Sequence, residues 1–186
     1  GKTTMADVAR EAQVGVGSVY LEFSSKEEIV EELSLSTHIG VLDAMRSVAR
    51  RGGAPAARFT AVLRVRTECF LRLRSKGQHA CELVHCKAEG VRAANERFRA
   101  EERAFFRELL EEGRGGGGFA SSIDAGSVAA LVQRVFATLS PPWLPETDED
   151  ALRITEEMSE LVLAGLLERS AASRVPAAKK ARRSRR

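Results

Sequence analysis

The sequence is short of several things, and each shortage excludes a class of protein. There are only three cysteines in 186 residues. An odd, small number does not make the disulfide framework of a secreted domain, so a reducing cytoplasm is the expected compartment. No stretch approaches the roughly 20 uninterrupted apolar residues of a membrane span, and no signal peptide opens the chain, so no membrane partner is expected. Period-2 alternation between turn signals is almost absent, which argues against sheets. There is no plausible Ser-His-Asp order, no pair of carboxylates with a cleft context and no metal-hydrolase motif. An enzyme is therefore not expected, and neither is a cofactor or a resident metal.

What is present favours helices. Hydrophobic residues make up 44% of the chain but aromatics only 5%, with Ala, Leu, Val, Glu and Arg abundant. Charge is unevenly placed. From Arg174 to Arg186 there are seven basic residues and no acidic one, which leaves Gly1–Ser173 at −4 against +3 for the whole chain. The basic end reads as a disordered tail over 171–186, while the body is mildly acidic.

Along the chain, helical spacing recurs about eight times. Thr4 with Asp7 approximates a capping box for a helix through Ala12, and a second, short helix runs from Val16 to about Phe23. Ser24 with Glu27, or Ser25 with Glu28, opens a third helix with Ile29, Val30, Leu33, Thr37 and Val41 on one face, stopped near Arg51 by "RGGAP". Further helices are expected at Ala56–Arg74, Gln78–Glu89 and Val91–Glu112, with a bend at Gly90, followed by a flexible loop, "GRGGGG", at 113–118. The last two run from Asp124 to Leu139, stopped by "SPPWLP", and from Asp148 to Ser170 with a Leu152, Met158, Leu161, Val162 and Leu166 seam. The fold class is all-α.

Two glycine-rich stretches first suggest nucleotide binding. "GKTT" at the start holds only the tail of a phosphate-binding loop, with no strand or sheet around it. "GVGSVY" (residues 15–20) has Tyr20 where the third glycine of a dinucleotide fingerprint belongs, and it follows a helix. A helix, a three-residue turn and a short helix opened by small residues describe a helix-turn-helix instead. Gly15, Gly17 and Ser18 allow close approach to DNA, Tyr20 offers a hydroxyl to a phosphate, and Lys26 sits at a helix N-terminus that favours anions.

The segment "TTMADVAREAQVGVGSVYLEFSSKEEIVEEL", residues 3–33, resembles the DNA-binding segment of the tetracycline-repressor-like (TetR/AcrR) family of bacterial transcription regulators. Thr4, Ala9, Ala12, Val14, Ser18, Tyr20, Phe23, Ser25, Lys26 and Glu27 fall where that pattern asks. The resemblance implies an N-terminal helix-turn-helix DNA-binding domain over residues 1–38 and a larger helical effector-binding and dimerisation domain over 39–170. It implies that Thr4, Ser18, Tyr20 and Lys26 contact phosphates, that Val16 and Gly17 lie near the bases, and that Val8, Ala9, Val14, Val19 and Phe23 form the core of the reading head. Gln13 stands in place of the usual turn glycine and Gly15 in place of the usual serine cap. Residues 1–32 carry three basic and seven acidic side chains, a weak footprint for DNA. The resemblance also implies a helix ahead of this unit that the sequence as given lacks, so a basic, amphipathic first helix is expected upstream of Gly1.

For the larger domain the resemblance implies double-stranded operator DNA, a second copy of the chain and an unknown small-molecule effector as partners. The 124–139 and 148–170 helices would form a four-helix bundle with their symmetry mates, Ala125, Ala129 and Ala130 permitting close approach. Cys69, Phe70, Phe98, Phe105, Phe106, Phe136 and Trp143 are the candidate pocket linings. "HACELVHC" (79–86) collects His79, Cys81, His85 and Cys86, all competent for soft metals. On a helix, though, Cys81 and His85 share one face and His79 and Cys86 another, so reduced cysteines and ordinary histidines are expected.

Overall fold

The computed structural model describes residues 3–167. Eight α-helices occur among them: α1 Met5–Glu11, α2 Val16–Glu22, α3 Lys26–Ala49, α4 Pro55–Ser75, α5 Gln78–His85, α6 Glu89–Gly115, α7 Ala125–Phe136 and α8 Asp148–Leu166, with a 3-10 turn at Ala137–Leu139 after α7. No strand is found among the described residues. The expected tail at 171–186 and the end of the last expected helix lie outside them.

Local chemistry accounts for the starts. The Thr4 hydroxyl accepts from the Asp7 N–H at 3.2 Å, and Asp7 accepts from the Thr4 N–H at 3.0 Å, completing the capping box. The hydrogen bonds from Thr4, with help from Arg10, hold the Asp7 carboxyl down to a pKa of about 2. For α3 the cap is Ser25, which accepts from the Glu28 N–H, while the Glu28 carboxylate reaches back to the Ser24 N–H. Gln13 takes φ +57°, the left-handed conformation of the turn between α1 and α2, where glycine would be unstrained.

The long helices α3, α4 and α6 form the centre. Helix α8 lies on α4, α7 lies on α6, and α5 crosses α3 and α6. Met45, Phe59, Val62, Leu63, Phe106 and Leu110 are fully buried between them. A second, small core of Met5, Ala9 and Val19, flanked by Phe23 and Ile29, joins α1, α2 and the start of α3.

Five expectations change. Helix α3 buries Ser34, His38, Val41, Leu42 and Met45, so its inward face is rotated from the Ile29–Leu33–Thr37 line, and Leu33 is exposed. The break between α5 and α6 falls at Cys86–Ala88 and not at Gly90. Gly90 lies in the first turn of α6, where a Cβ would meet Glu31 Cβ at 2.8 Å and only glycine fits. Helix α6 continues to Gly115, and glycines in and after its last turns serve packing as well as turning: a Cβ on Gly113 would lie 2.3 Å from the Phe119 ring, and one on Gly118 would lie 2.5 Å from Pro55.

On α7, Ala125 and Ala129 are buried in the chain's own core, so they are not available to a symmetry mate; the outward residues there include Leu131. On α8 the inward residues are Ala151, Thr155, Ser159 and Leu166, while Leu161 points outward at 76% exposure. The small Thr155 and Ser159 allow α8 to approach α4 closely, and the Thr155 and Thr67 hydroxyls meet at 2.9 Å.

Candidate functional site

The reading head presents its candidate residues to solvent. Thr4, Val16, Gly17, Ser18, Tyr20 and Lys26 are all exposed. They come from the start of α1, the leading turns of α2 and the first residue of α3. Nothing lies within 4 Å of a Cβ built on Gly17, so the space in front of α2 is open to a partner. Gly15 caps α2 without a side-chain hydrogen bond, leaving the leading N–H groups to other acceptors. The Thr4 hydroxyl is already committed to Asp7, at 2.7 Å. Lys26 Nζ is 3.8 Å from Glu27, a pairing that weakens its pull on a phosphate. Val14 departs from expectation: past the left-handed turn at Gln13 its side chain leaves the α1–α2 seam and is 48% exposed, so the head core forms without it.

The helices around the larger core hold a cavity of about 320 Å³ among α3, α4, α5, α6, α7 and the α7–α8 connection. His38 enters from α3, Arg66 and Phe70 from α4, Val84 and His85 from α5, and Asn95 and Arg99 from α6. Gln133 of α7 and the Ala137–Trp143 stretch complete the wall. Behind it runs a buried polar network. Arg66 Nε donates to Glu102 at 2.5 Å, Arg66 Nη1 donates to the Phe136 carbonyl at 2.9 Å, and the guanidinium lies 5.0 Å from the Phe70 ring centroid. Gln133 Nε2 donates to Glu102 and to the Arg99 carbonyl, while its Oε1 accepts from Arg103.

His38 is 3% exposed, stacks on Phe98 at 4.6 Å, and its Nδ1 has no hydrogen-bond partner. Burial first, and the nearby Arg99 charge, push its pKa down to about 4 against a partial opposing pull from the Ser34 carbonyl, so the imidazole is neutral.

The candidate pocket residues separate on this geometry. Phe70 and Trp143 line the cavity. Phe98 backs it through His38, and Phe136 contributes its carbonyl to Arg66. Cys69 instead lines a separate groove of about 440 Å³ between α3 and α4, and Phe105 one of about 400 Å³ beside Arg46 and Arg58. Phe106 is fully buried core. The seven pocket candidates therefore do not share one space.

Residues 1–33 match the family described as bacterial regulatory proteins, tetR family. The reading head is that of the tetR family. Among curated protein sequences none matches this chain. Solved structures agree in fold over most of the chain. A TetR/AcrR-family transcriptional regulator from Thermobifida fusca is 21% identical with a TM-score of 0.67, covering 88% of this chain and 86% of its own. The ketosteroid transcriptional regulator KstR2 of Mycobacterium tuberculosis is 20% identical with a TM-score of 0.61, covering 90% and 86%. The transcriptional regulator FadR of Bacillus subtilis, solved in complex with stearoyl-CoA, is 15% identical with a TM-score of 0.68, covering 88% and 89%.

Within this tetR-type fold the His/Cys cluster does not converge. His79 is 97% exposed beside Glu82, and His85 Nδ1 donates to the Cys81 carbonyl at 2.7 Å. Among the described residues no group of three or more His, Cys, Asp or Glu is placed to hold a metal ion, and no helix is long and apolar enough to cross a membrane. The polar residues that matter here were not singled out from sequence. Their signal was nonetheless present: His38 and Ser34 occupy core positions of α3, and Glu102 sits between Phe98 and Phe106 at spacings of four.

Proposed function

We propose that this chain is a dimeric, ligand-responsive DNA-binding transcription regulator, a repressor released from its operator when a small effector enters the His38 cavity. The tetR-family match supports the DNA-binding regulator; one observation supports the coupling. Helix α3 is unbroken from Lys26, at the reading head, to His38, in the cavity wall. Twelve residues at 1.5 Å each place these about 18 Å apart on one rigid element. Ser34 of the same helix donates to the Leu83 carbonyl at 2.6 Å, and Asn95 of α6 donates to the Val84 carbonyl at 3.2 Å, so α5 is tied to both helices that flank the cavity. A ligand that displaces α5 therefore bears on α3, and with it on the spacing of two reading heads in a dimer. Operator half-sites recur about one turn (~34 Å) apart, so a change in that spacing is sufficient to release DNA. The outward faces of α7 and α8, with Leu131 and Leu161, are the surfaces we assign to the second copy.

The acidic head favours a second reading, a helical dimeric ligand-binding or interaction protein whose reading head is impaired for DNA. Mobility shift against the DNA flanking the gene, at several salt concentrations, separates the two. Sequence-preferring retention that weakens steeply with salt supports the regulator, and Lys26→Ala should lower the salt slope by about one counterion. A stable dimer that retains no DNA at low salt supports the second reading.

A further inference from the structure

The His38 cavity is built for one kind of molecule. In a chain with 26 acidic residues, none lines it. Glu102, which stands behind the wall, has one oxygen on Arg66 and the other on Gln133. Gln133 is itself saturated by Arg103, Glu102 and the Arg99 carbonyl. Donors are left over on the cavity's charged side, beside acceptor capacity at Asn95 Oδ1 and His85 Nε2. Arg66 Nη2 makes no hydrogen bond among the described residues, Arg99 makes no ion pair among them, and buried His38 Nδ1 has only the nearby Ser34 carbonyl, with which it forms no well-aligned hydrogen bond. A buried polar nitrogen without a well-formed hydrogen bond is rare, and a ligand atom placed against it would supply one.

The rest of the wall mixes apolar residues, Phe70, Val84, Ala137, Pro141, Pro142 and Trp143, with the polar His85, Asn95 and Ser140. The volume, about 320 Å³, is at the small end of the range of about 300–1,000 Å³ typical of ligand pockets. We infer that the effector is a small organic carboxylate with an aryl or branched-alkyl body, its carboxylate held by Arg99 and Arg66 beside His38, its body against Phe70 and Trp143. Planar guanidinium forks match the two oxygens of a carboxylate, and the pairing in a half-enclosed site is stronger than in water.

This assignment rests on the regulator reading, and the test separates the two. Full-length protein is titrated by calorimetry and thermal shift with phenylacetate, phenylacetamide, phenethylamine and inorganic phosphate. Phenylacetate at tenfold excess over its Kd should raise Tm by roughly 3–6 °C, with the amide and the amine at least tenfold weaker and phosphate weaker than the acid. Arg99→Leu should weaken phenylacetate at least tenfold while leaving the unliganded Tm in place, because Arg99 is exposed. Amide or amine binding as tight as the acid, phosphate binding as tight as the acid, no acid binding, or an unchanged Arg99→Leu affinity overturns the assignment. Operator retention is measured in parallel without ligand. DNA binding without acid binding removes this inference alone, and acid binding without DNA binding removes the regulator reading alone.

Discussion

Glu102→Leu should be among the most damaging single substitutions in this protein, because it strands a charge. Arg66 is 2% exposed and Glu102 1%, and their side chains meet at 2.5 Å. Taking away the carboxylate leaves a guanidinium in the core with only the Phe136 carbonyl and the Phe70 ring as compensation, and it also releases one Gln133 bond. Removing one partner of a buried pair costs about 3–5 kcal/mol, while replacing both by apolar residues of similar volume is often neutral or stabilising. Against a typical total stability of about 5–15 kcal/mol, the single loss is severe. At roughly 2–4 °C per kcal/mol for a chain of this size, Tm should fall by about 6–20 °C. Arg66→Met with Glu102→Leu should recover most of it. The assay is a double-mutant cycle in urea, with the m-value monitored to keep the states comparable. A Glu102→Leu cost below about 1 kcal/mol, or single-variant losses that simply add in the double variant, would refute the reasoning.

Three further outcomes are expected. His38 has a folded pKa of about 4 against 6.5 in the unfolded chain, so the unfolded state binds more protons between those values and stability falls as pH drops through that window. The loss by pH 5 is about 2 kcal/mol, and His38→Leu should flatten the curve between pH 6.5 and 5 in denaturant titrations. Gly113→Ala should cost about 1–3 kcal/mol because its Cβ meets Phe119, whereas Gly115→Ala, with open space around it, should be neutral or gain up to about 1 kcal/mol in the same melts. Gln13→Gly should stabilise the reading head by about 0.5–1 kcal/mol, since it relieves a left-handed residue at φ +57°, and hydrogen exchange in α1 and α2 should slow accordingly.

The reading head was legible in the sequence because its determinants are local. Caps at Thr4 and Ser25, the forced turn at Gln13 and the small residues leading α2 act within a few positions of one another, and pattern alone locates them. Proline and glycine likewise set the stops after α3 and α7. Where a face rather than an element was read, errors appeared. In α3, α7 and α8 apolar residues occur on more than one side, and the inward side is set by the neighbour: on α8 Thr155 meets Thr67 of α4, Ser159 is buried one turn on with its hydroxyl on the Thr155 carbonyl, and Leu161 is left outside.

The aromatic pocket candidates were scattered over several spaces because aromatic identity says nothing about which helix gap a ring fills. The cavity itself depends on Arg66 and Glu102, 36 residues apart, and on His38 from a third helix. The sequence by itself determined the helices, their caps and the identity of the reading head, since each is encoded over a turn or two of chain. Only the tertiary structure decided which polar groups are buried, which of them are satisfied and which are left facing a cavity. Those are properties of groups brought together from distant positions, and no local spacing encodes them.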